Sequence, residues 1–276
     1  MNDCITEKEL TLLKSSMNAA RKSLLDKPEG CLRICQKKNS CHYYYRSSPH
    51  MSKGTYLRKD QISLVIALAQ KRYDQKFLVA ACDLEKLIQK SQGYNGIDKH
   101  TFYQILGGVY QNLSPARQKL VTPYILPDKQ FLEAWLNLEY EGKPSYKEKA
   151  EIKTVNGEYV RSKSEKIIAD MLYSLHIPYK YEYPLKTKTW GIVYPDFTLL
   201  DLWTRTLVIL EHFGRLEDPS YSLSAIKKIE TYDKEGYHLG DNFLFTMESE
   251  NHIINIKYLE DQINRRFPHA ADFVFS

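Results

Sequence analysis

Two apolar runs, separated by a few residues, constrain this chain more than any other feature. Pro195-Asp196-Phe197-Thr198-Leu199-Leu200 and Thr206-Leu207-Val208-Ile209-Leu210-Glu211 flank the short spacer Asp201-Leu202-Trp203-Thr204-Arg205. Runs of this length around such a spacer predict an antiparallel pair of strands. With the turn centred between Trp203 and Thr204, Asp196 faces Glu211, while Phe197, Leu199, Val208 and Leu210 share one side. Both sides are largely apolar, so the sheet must be covered on both, with acids at one end. Directly opposed Cβ atoms stand about 4.5–5.5 Å apart, and two carboxylates at that distance repel unless a cation lies between them.

The flanking sequence supplies the cover. Ser162 opens a helix to about Ser174, with Ile167, Ile168, Met171, Leu172 and Leu175 at helical spacing. Strands are expected at 179–185, 192–200 and 206–213, then a helix at 221–235, a strand at 242–247 and a helix at 255–266. The order is α-β-β-β-α-β with a terminal helix, an α/β (α+β) class.

Ahead of the polar stretch Glu141 to Lys153 the texture differs, which divides the chain into domains at 1–145 and 155–276. Thr6-Glu7-Lys8-Glu9 is a capping box that opens a helix over about 6–26. Its narrow seam of Leu10, Leu13, Met17, Ala20 and Leu24 suits packing within the chain, a second copy, or a protein partner. A hairpin follows, Cys31–Cys35 with His42–Arg46 across Lys37-Lys38-Asn39-Ser40, then a short strand at Thr55 to Arg58. Helical periodicity marks 61–71, 74–90, 101–111 and 128–140, with turns at Gly93, Gly96, Gly107-Gly108, Ser114-Pro115 and Pro123 to Pro127.

The net charge of +5 conceals an imbalance: residues 1–150 hold 24 Lys+Arg against 15 Asp+Glu, and residues 151–276 hold 15 against 19. A basic half beside an acidic half suits one part that meets a polyanion and another that gathers carboxylates for a metal. Arg33, Lys37, Lys38, Tyr44, Arg46 and Arg58 are the candidate nucleic-acid contacts, since basic side chains meet phosphates and aromatic rings stack on bases. The same tyrosines would serve equally well as packing between hairpin and helices. No apolar window is long enough to span a membrane, and the first 30 residues lack the apolar run of a signal peptide. Five cysteines make an odd and sparse set, so a reducing cytoplasm is the expected setting. Cys31, Cys35, Cys41 and His42 offer zinc-ligand chemistry at unusual spacing; strand cysteines serving as small apolar groups are the better account.

Ser162-Lys163-Ser164-Glu165 reads first as a second capping box, and alternatively as a carboxylate poised over the sheet end. Together with Tyr181-Glu182-Tyr183-Pro184-Leu185, Pro195-Asp196-Phe197-Thr198 and Glu211-His212-Phe213-Gly214, it makes residues 160–250 resemble the PD-(D/E)xK nuclease superfamily, which has a restriction-endonuclease-like core of the same element order. The resemblance implies Mg²⁺ (or Mn²⁺) held by Asp196, Glu211, the backbone carbonyl of His212 and Glu165. It implies phosphodiester hydrolysis; DNA is the first expectation for the substrate and RNA the second.

The sequence departs from that pattern where the motif lysine should stand, because Phe213 occupies the place. Lys228 is the replacement: it shares a helical stripe with Tyr221, Ala225 and Tyr232, whereas Lys227 lies on the polar stripe. Glu165, Asp196, Glu211 and Lys228 are thus the candidate catalytic residues. The rivals are a nucleic-acid-binding protein that does no chemistry and a protein-interaction module.

Overall fold

The computed structural model describes residues 3–38, 40–90, 96–144, 151–188, 190–249 and 251–274. It divides into two compact units, one running up to Phe131 and one from Leu132 onward.

In the first unit α1 (Glu7–Leu25) starts at the expected capping box. The N–H and Oγ of Thr6 donate to Glu9 Oε2 at 2.9 and 2.6 Å, and Tyr103 donates its hydroxyl to Oε1 at 3.1 Å. The three-stranded antiparallel sheet β1 (Cys31–Lys37), β2 (Ser40–Arg46) and β3 (Thr55–Leu57) follows. Then come α2 (Ile62–Lys90), α3 (Lys99–Gln111), the short α4 (Pro115–Gln118) and α5 (Asp128–Leu136). The seam of α1 is consumed inside the unit: Leu13, Met17 and Ala20 are buried in one core with Val65, Leu68, Phe77 and Leu84 of α2.

Several expected boundaries move, each for a physical reason. The helices expected at 61–71 and 74–90 are one, because Arg72-Tyr73 contains no breaker and Tyr73 is fully buried in the stripe from Val65 to Ile88. Gly107-Gly108 is no turn but the interior of α3. A Cβ at Gly107 would sit 3.2 Å from Leu126 O, so the glycine serves close packing of a neighbouring segment. The expected turn at Gly93, the hairpin residue Asn39 and positions 145–150 of the polar stretch lie outside the described residues.

The division between units falls inside α5, ahead of the polar stretch at 141–153. Lys180 explains the placement. Its ammonium donates to the carbonyls of Leu136 and Leu138 at 3.2 and 2.9 Å and lies 5.2, 4.7 and 5.6 Å from the ring centres of Trp135, Tyr140 and Tyr183. That fixes the segment after α5 to the second unit.

The second unit carries the hairpin β4 (Ile152–Lys153) and β5 (Tyr159–Val160), then α6 (Lys163–Ser174), β6 (Tyr179–Tyr181), β7 (Leu185–Lys186), β8 (Ile192–Val193), β9 (Phe197–Asp201), β10 (Thr206–Phe213), α7 (Pro219–Lys234), β11 (Phe243–Met247) and α8 (Ile256–Arg266). The main sheet has the order β11-β10-β9-β6, and α6, its strands and α7 follow one another as α-β-β-β-α-β, in an α+β class. The run expected at 179–185 is broken at Glu182, whose φ of 49° leaves the extended region. The run at 192–200 is broken around Pro195, which has no N–H to give a ladder. β7 and β8 pair with each other as a separate hairpin.

β9 and β10 pair in the register expected from the turn, Phe197 opposite Leu210 and Asp201 opposite Thr206. Asp201 closes the turn by accepting from the N–H groups of Trp203 and Thr204, and Arg266 of α8 binds its Oδ2 at 2.7 Å. Phe197, Leu199, Val208 and Leu210 pack under α6 and α8, against Ile168, Leu172, Leu259 and Ile263. Ile209 and Phe243 face the other way, against Tyr232 of α7. Among the described residues no helix is long and apolar enough to cross a membrane.

Glu9 makes the capping box testable. Burial opposes its ionisation, but the hydrogen bonds from Thr6 and Tyr103 and the charge of Lys99 outweigh it and hold its carboxyl below the ordinary glutamate value. A group with a depressed folded pKa stabilises above its unfolded pKa and loses that contribution as pH falls through the folded value. Glu9→Gln should therefore cost about 1–3 kcal/mol at pH 7 in urea denaturation. The gap to the parent should shrink below the unfolded carboxyl pKa of about 4.3; a gap independent of pH would contradict this account.

Candidate active site

The second unit's pocket lies where the sheet's two parallel strands end. β10 and β11 run parallel, so Phe213 and Met247 finish at the same edge, and antiparallel β9 begins there. Carboxyl ends of parallel strands are a recurrent place for ligands, because the strands diverge into loops and helix ends. The cavity there has a volume of about 630 Å³, and Glu165, Asp196, Glu211 and Lys228 all line it.

Strand alternation sets the carboxylates. Glu211 is two residues past Ile209, so it points to the α7 side, and Asp196 stands just beyond the last rung of the β9–β10 ladder on that same side. Asp196 is fixed by the main chain, its Oδ2 accepting from the N–H of His212 at 2.8 Å. Glu211 is only 1% exposed. Two side chains of α7, one turn apart, converge on it: Lys228 Nζ donates to Oε2 at 2.6 Å and the Tyr232 hydroxyl donates to Oε1 at 2.5 Å. Lys227, the neighbouring position, is exposed.

The electrostatics follow from burial. Desolvation pushes the Glu211 carboxyl up to about 8, opposed by Lys228 and reinforced by the charge of Asp196. For Lys228, burial works against the ammonium, but Glu211 and Asp196 outweigh it and hold the amine protonated. Burial and the adjacent Glu211 push the Tyr232 phenol upward, so it stays a donor.

Glu165 is a cap and a pocket wall together. Ser162 Oγ accepts from the Glu165 N–H at 3.1 Å, and Glu165 Oε2 accepts from the N–H groups of Arg161 and Ser162 at 2.9 and 3.3 Å and from the Tyr181 hydroxyl at 2.8 Å. The Glu165 carboxylate therefore closes the capping box of α6 and lines the pocket. Glu182 pairs with the Arg161 guanidinium; burial pushes its carboxyl upward, Arg161 opposes that, and Asp196 and Glu165 add to it.

Three other groups at this pocket are not among the residues singled out from the sequence. Arg161 and Lys143 bring positive charge to its wall, and Glu248 follows directly on β11. Glu248 accepts from Ser164 at 2.8 Å and stands 3.3 Å from His212 Nε2, whose Nδ1 is 2.8 Å from Thr246 Oγ1. The imidazole of His212 is therefore tied into the sheet end as well as its backbone. The signal for Glu248 was its place one residue past a strand parallel to the motif strand.

The donors at the pocket are hard oxygens, the class that Mg²⁺ and Mn²⁺ take. The charge of Asp196 disfavours ionisation of Glu211, which a cation relieves, so the donor set fits such an ion. It is not a ready-made cage: both oxygens of Glu211 already hold donors, and among the described residues no three His, Cys, Asp or Glu side chains group as a metal site.

No family model matches the chain, and no solved structure matches it. An uncharacterized protein of Methanocaldococcus jannaschii is 32% identical over 128 residues, covering 42% of this chain and 11% of that protein. The chain thus spans about a tenth of the length of the curated relative it matches.

The Tyr232 bond to Glu211 can be isolated, because phenylalanine fills the same space. Tyr232→Phe should lower stability by about 1–3 kcal/mol, the cost of removing a donor from a buried carboxyl. Urea denaturation at neutral pH reads this directly, and an unchanged midpoint and slope would mean that the hydroxyl contributes nothing.

Proposed function

We propose that the chain is a metal-dependent nuclease of the PD-(D/E)xK type that hydrolyses phosphodiester bonds, with DNA the first candidate substrate and RNA the second. The observation that carries this reading is the 2.6 Å approach of Lys228 Nζ to Glu211, in the same pocket as Asp196. A lysine from the helix after the motif strand thereby offers the charge that Phe213 cannot.

In this reading Asp196, Glu211, Glu165 and the main-chain carbonyl of His212 would hold Mg²⁺ or Mn²⁺. A divalent ion there would polarise the scissile phosphate and acidify water. Lys228 keeps its proton on Nζ and donates it as a hydrogen bond to phosphate oxygens as negative charge grows on them. Arg161 and Lys143 orient the substrate backbone through its charge. The His212 N–H and the Tyr232 hydroxyl fix Asp196 and Glu211 before substrate arrives, so little reorganisation is left for the reaction.

A nucleic-acid-binding protein that does no chemistry is the second reading. It is favoured by Glu211, whose two oxygens are both engaged by donors of α7.

Cleavage of single- and double-stranded DNA and RNA with Mg²⁺, Mn²⁺ or chelator separates the two. Asp196→Ala and Glu211→Ala should abolish cleavage and weaken Mn²⁺ binding in calorimetry. Lys228→Ala should slow cleavage on the order of 10²-fold or more, the scale of losing one preorganised electrostatic donor. Lys227→Ala should change it little. Equal losses at 227 and 228 would reject the assigned role of Lys228, and an inert parent chain with either metal would select the binding reading.

A further inference from the structure

The three-stranded sheet of the first unit has two unlike sides. Leu32, Ile34, Tyr43, Tyr45 and Leu57 turn inward to the helical core. Alternation then sends Arg33, Lys37, His42, Tyr44, Arg46 and Tyr56 to the other side. The register makes this a pattern, because Arg33 is paired with Tyr44 and Tyr44 with Tyr56, one row across all three strands. Tyr44 and Tyr56 meet edge to face with centroids 5.7 Å apart, and the His42 ring lies 5.8 Å from Tyr56. Tyr56 is 50% exposed.

Charge on this segment is of one sign. From Cys31 to Lys59 there are seven Lys+Arg and no Asp or Glu. Two of the arginines are held in place by the chain itself. Arg33 donates to Ser52 O at 2.9 Å, and Arg46 donates to Pro49 O and Ser52 O, each at 3.3 Å. The Arg46 Nε–H is buried without an acceptor, and Arg46 lines a cavity of about 280 Å³ with Lys53 and Gly54. A guanidinium already oriented by carbonyls at the wall of a cavity suits an anionic oxygen.

We propose that this outer sheet face binds an unpaired nucleic-acid strand, with bases stacked on Tyr44 and Tyr56 and phosphates held by Arg33, Lys37 and Arg46. Charge complementarity selects the polyanion, and the exposed Tyr56 ring beside the half-buried Tyr44 selects a strand with free base faces over a duplex, whose bases are stacked on each other. The inference rests on the nuclease reading for the identity of the polyanion and on this face for everything else. On this face His42 and Tyr56 stand beside Tyr44, while Tyr43 and Tyr45 turn to the core.

The test is fluorescence anisotropy of the full chain with labelled oligothymidylate and with a duplex of equal length, in chelator so that no cleavage occurs. The parent should prefer the single strand. Tyr56→Ala should weaken its binding about tenfold, within the 5- to 150-fold that loss of one base–aromatic stack produces. Tyr43→Phe, on the inward side, should bind as the parent does. Arg33→Ala should lower the slope of log affinity against log salt by about 0.7. Thermal melts of each variant guard against a folding defect.

Parent-like binding by a folded Tyr56→Ala, or a parent preference for duplex, would overturn the inference. So would displacement by heparin that is insensitive to Tyr56. Tyrosine-dependent binding in a chain that never cleaves would uphold this face while the nuclease reading fails, and cleavage with tyrosine-independent binding would do the reverse.

Discussion

A carboxyl group at the end of an inner strand, removed from water and answered by two donors from one helix, holds the second unit's chemistry together. Burying an ionisable group is costly unless its lone pairs are met, and Glu211 sets that condition for α7. Lys228 and Tyr232 can meet it only if the helix lies across the carboxyl ends of β10 and β11, one turn separating the two side chains. The same placement fills the neighbouring space with apolar contacts, since the Tyr232 ring packs on Phe243 and Phe213 packs on Phe245, at centroid distances of 5.2 and 5.7 Å. Phe213, two residues past Glu211, turns to the same side and lines the same pocket with an apolar ring.

How much of this was written in the chain depended on the range of the interaction. The pairing of β9 with β10 was legible because a short turn leaves few registers, and apolar side chains on both sides leave one that buries them all. Alternation in the β1–β2 hairpin was legible for the same reason. The single helix from Ile62 to Lys90 reads as two because the polar run Gln70-Lys71-Arg72 interrupts the apolar sequence just ahead of the buried Tyr73. Gly107-Gly108 looks like a turn in isolation, and only the chain passing at Leu126 and Pro127 explains a glycine inside a helix.

The candidate site divides in the same way. Asp196 opposite Glu211 follows from strand register, and Lys228 rather than Lys227 from a helical stripe, so both were readable. Arg161, Glu248 and the hydroxyl of Tyr181 gain their meaning through bonds between segments distant in sequence. Apart from the place of Glu248 just past β11, no local pattern announces them. Glu165 shows the limit in another form: capping and lining the pocket are compatible, and sequence spacing cannot rank two uses of one carboxylate.

Lys180 has a consequence beyond fixing a boundary. β6 is the outermost strand of its sheet, and an outer strand offers unpaired backbone groups to any passing chain. Here the Tyr140 hydroxyl takes the Tyr181 carbonyl at 2.8 Å, while the ammonium of Lys180 draws the backbone at Leu136 and Leu138 alongside. A foreign strand would have to evict a charge seated among three aromatic rings before it could add itself there. The protein's own connecting segment acts as a guard against edge-to-edge aggregation.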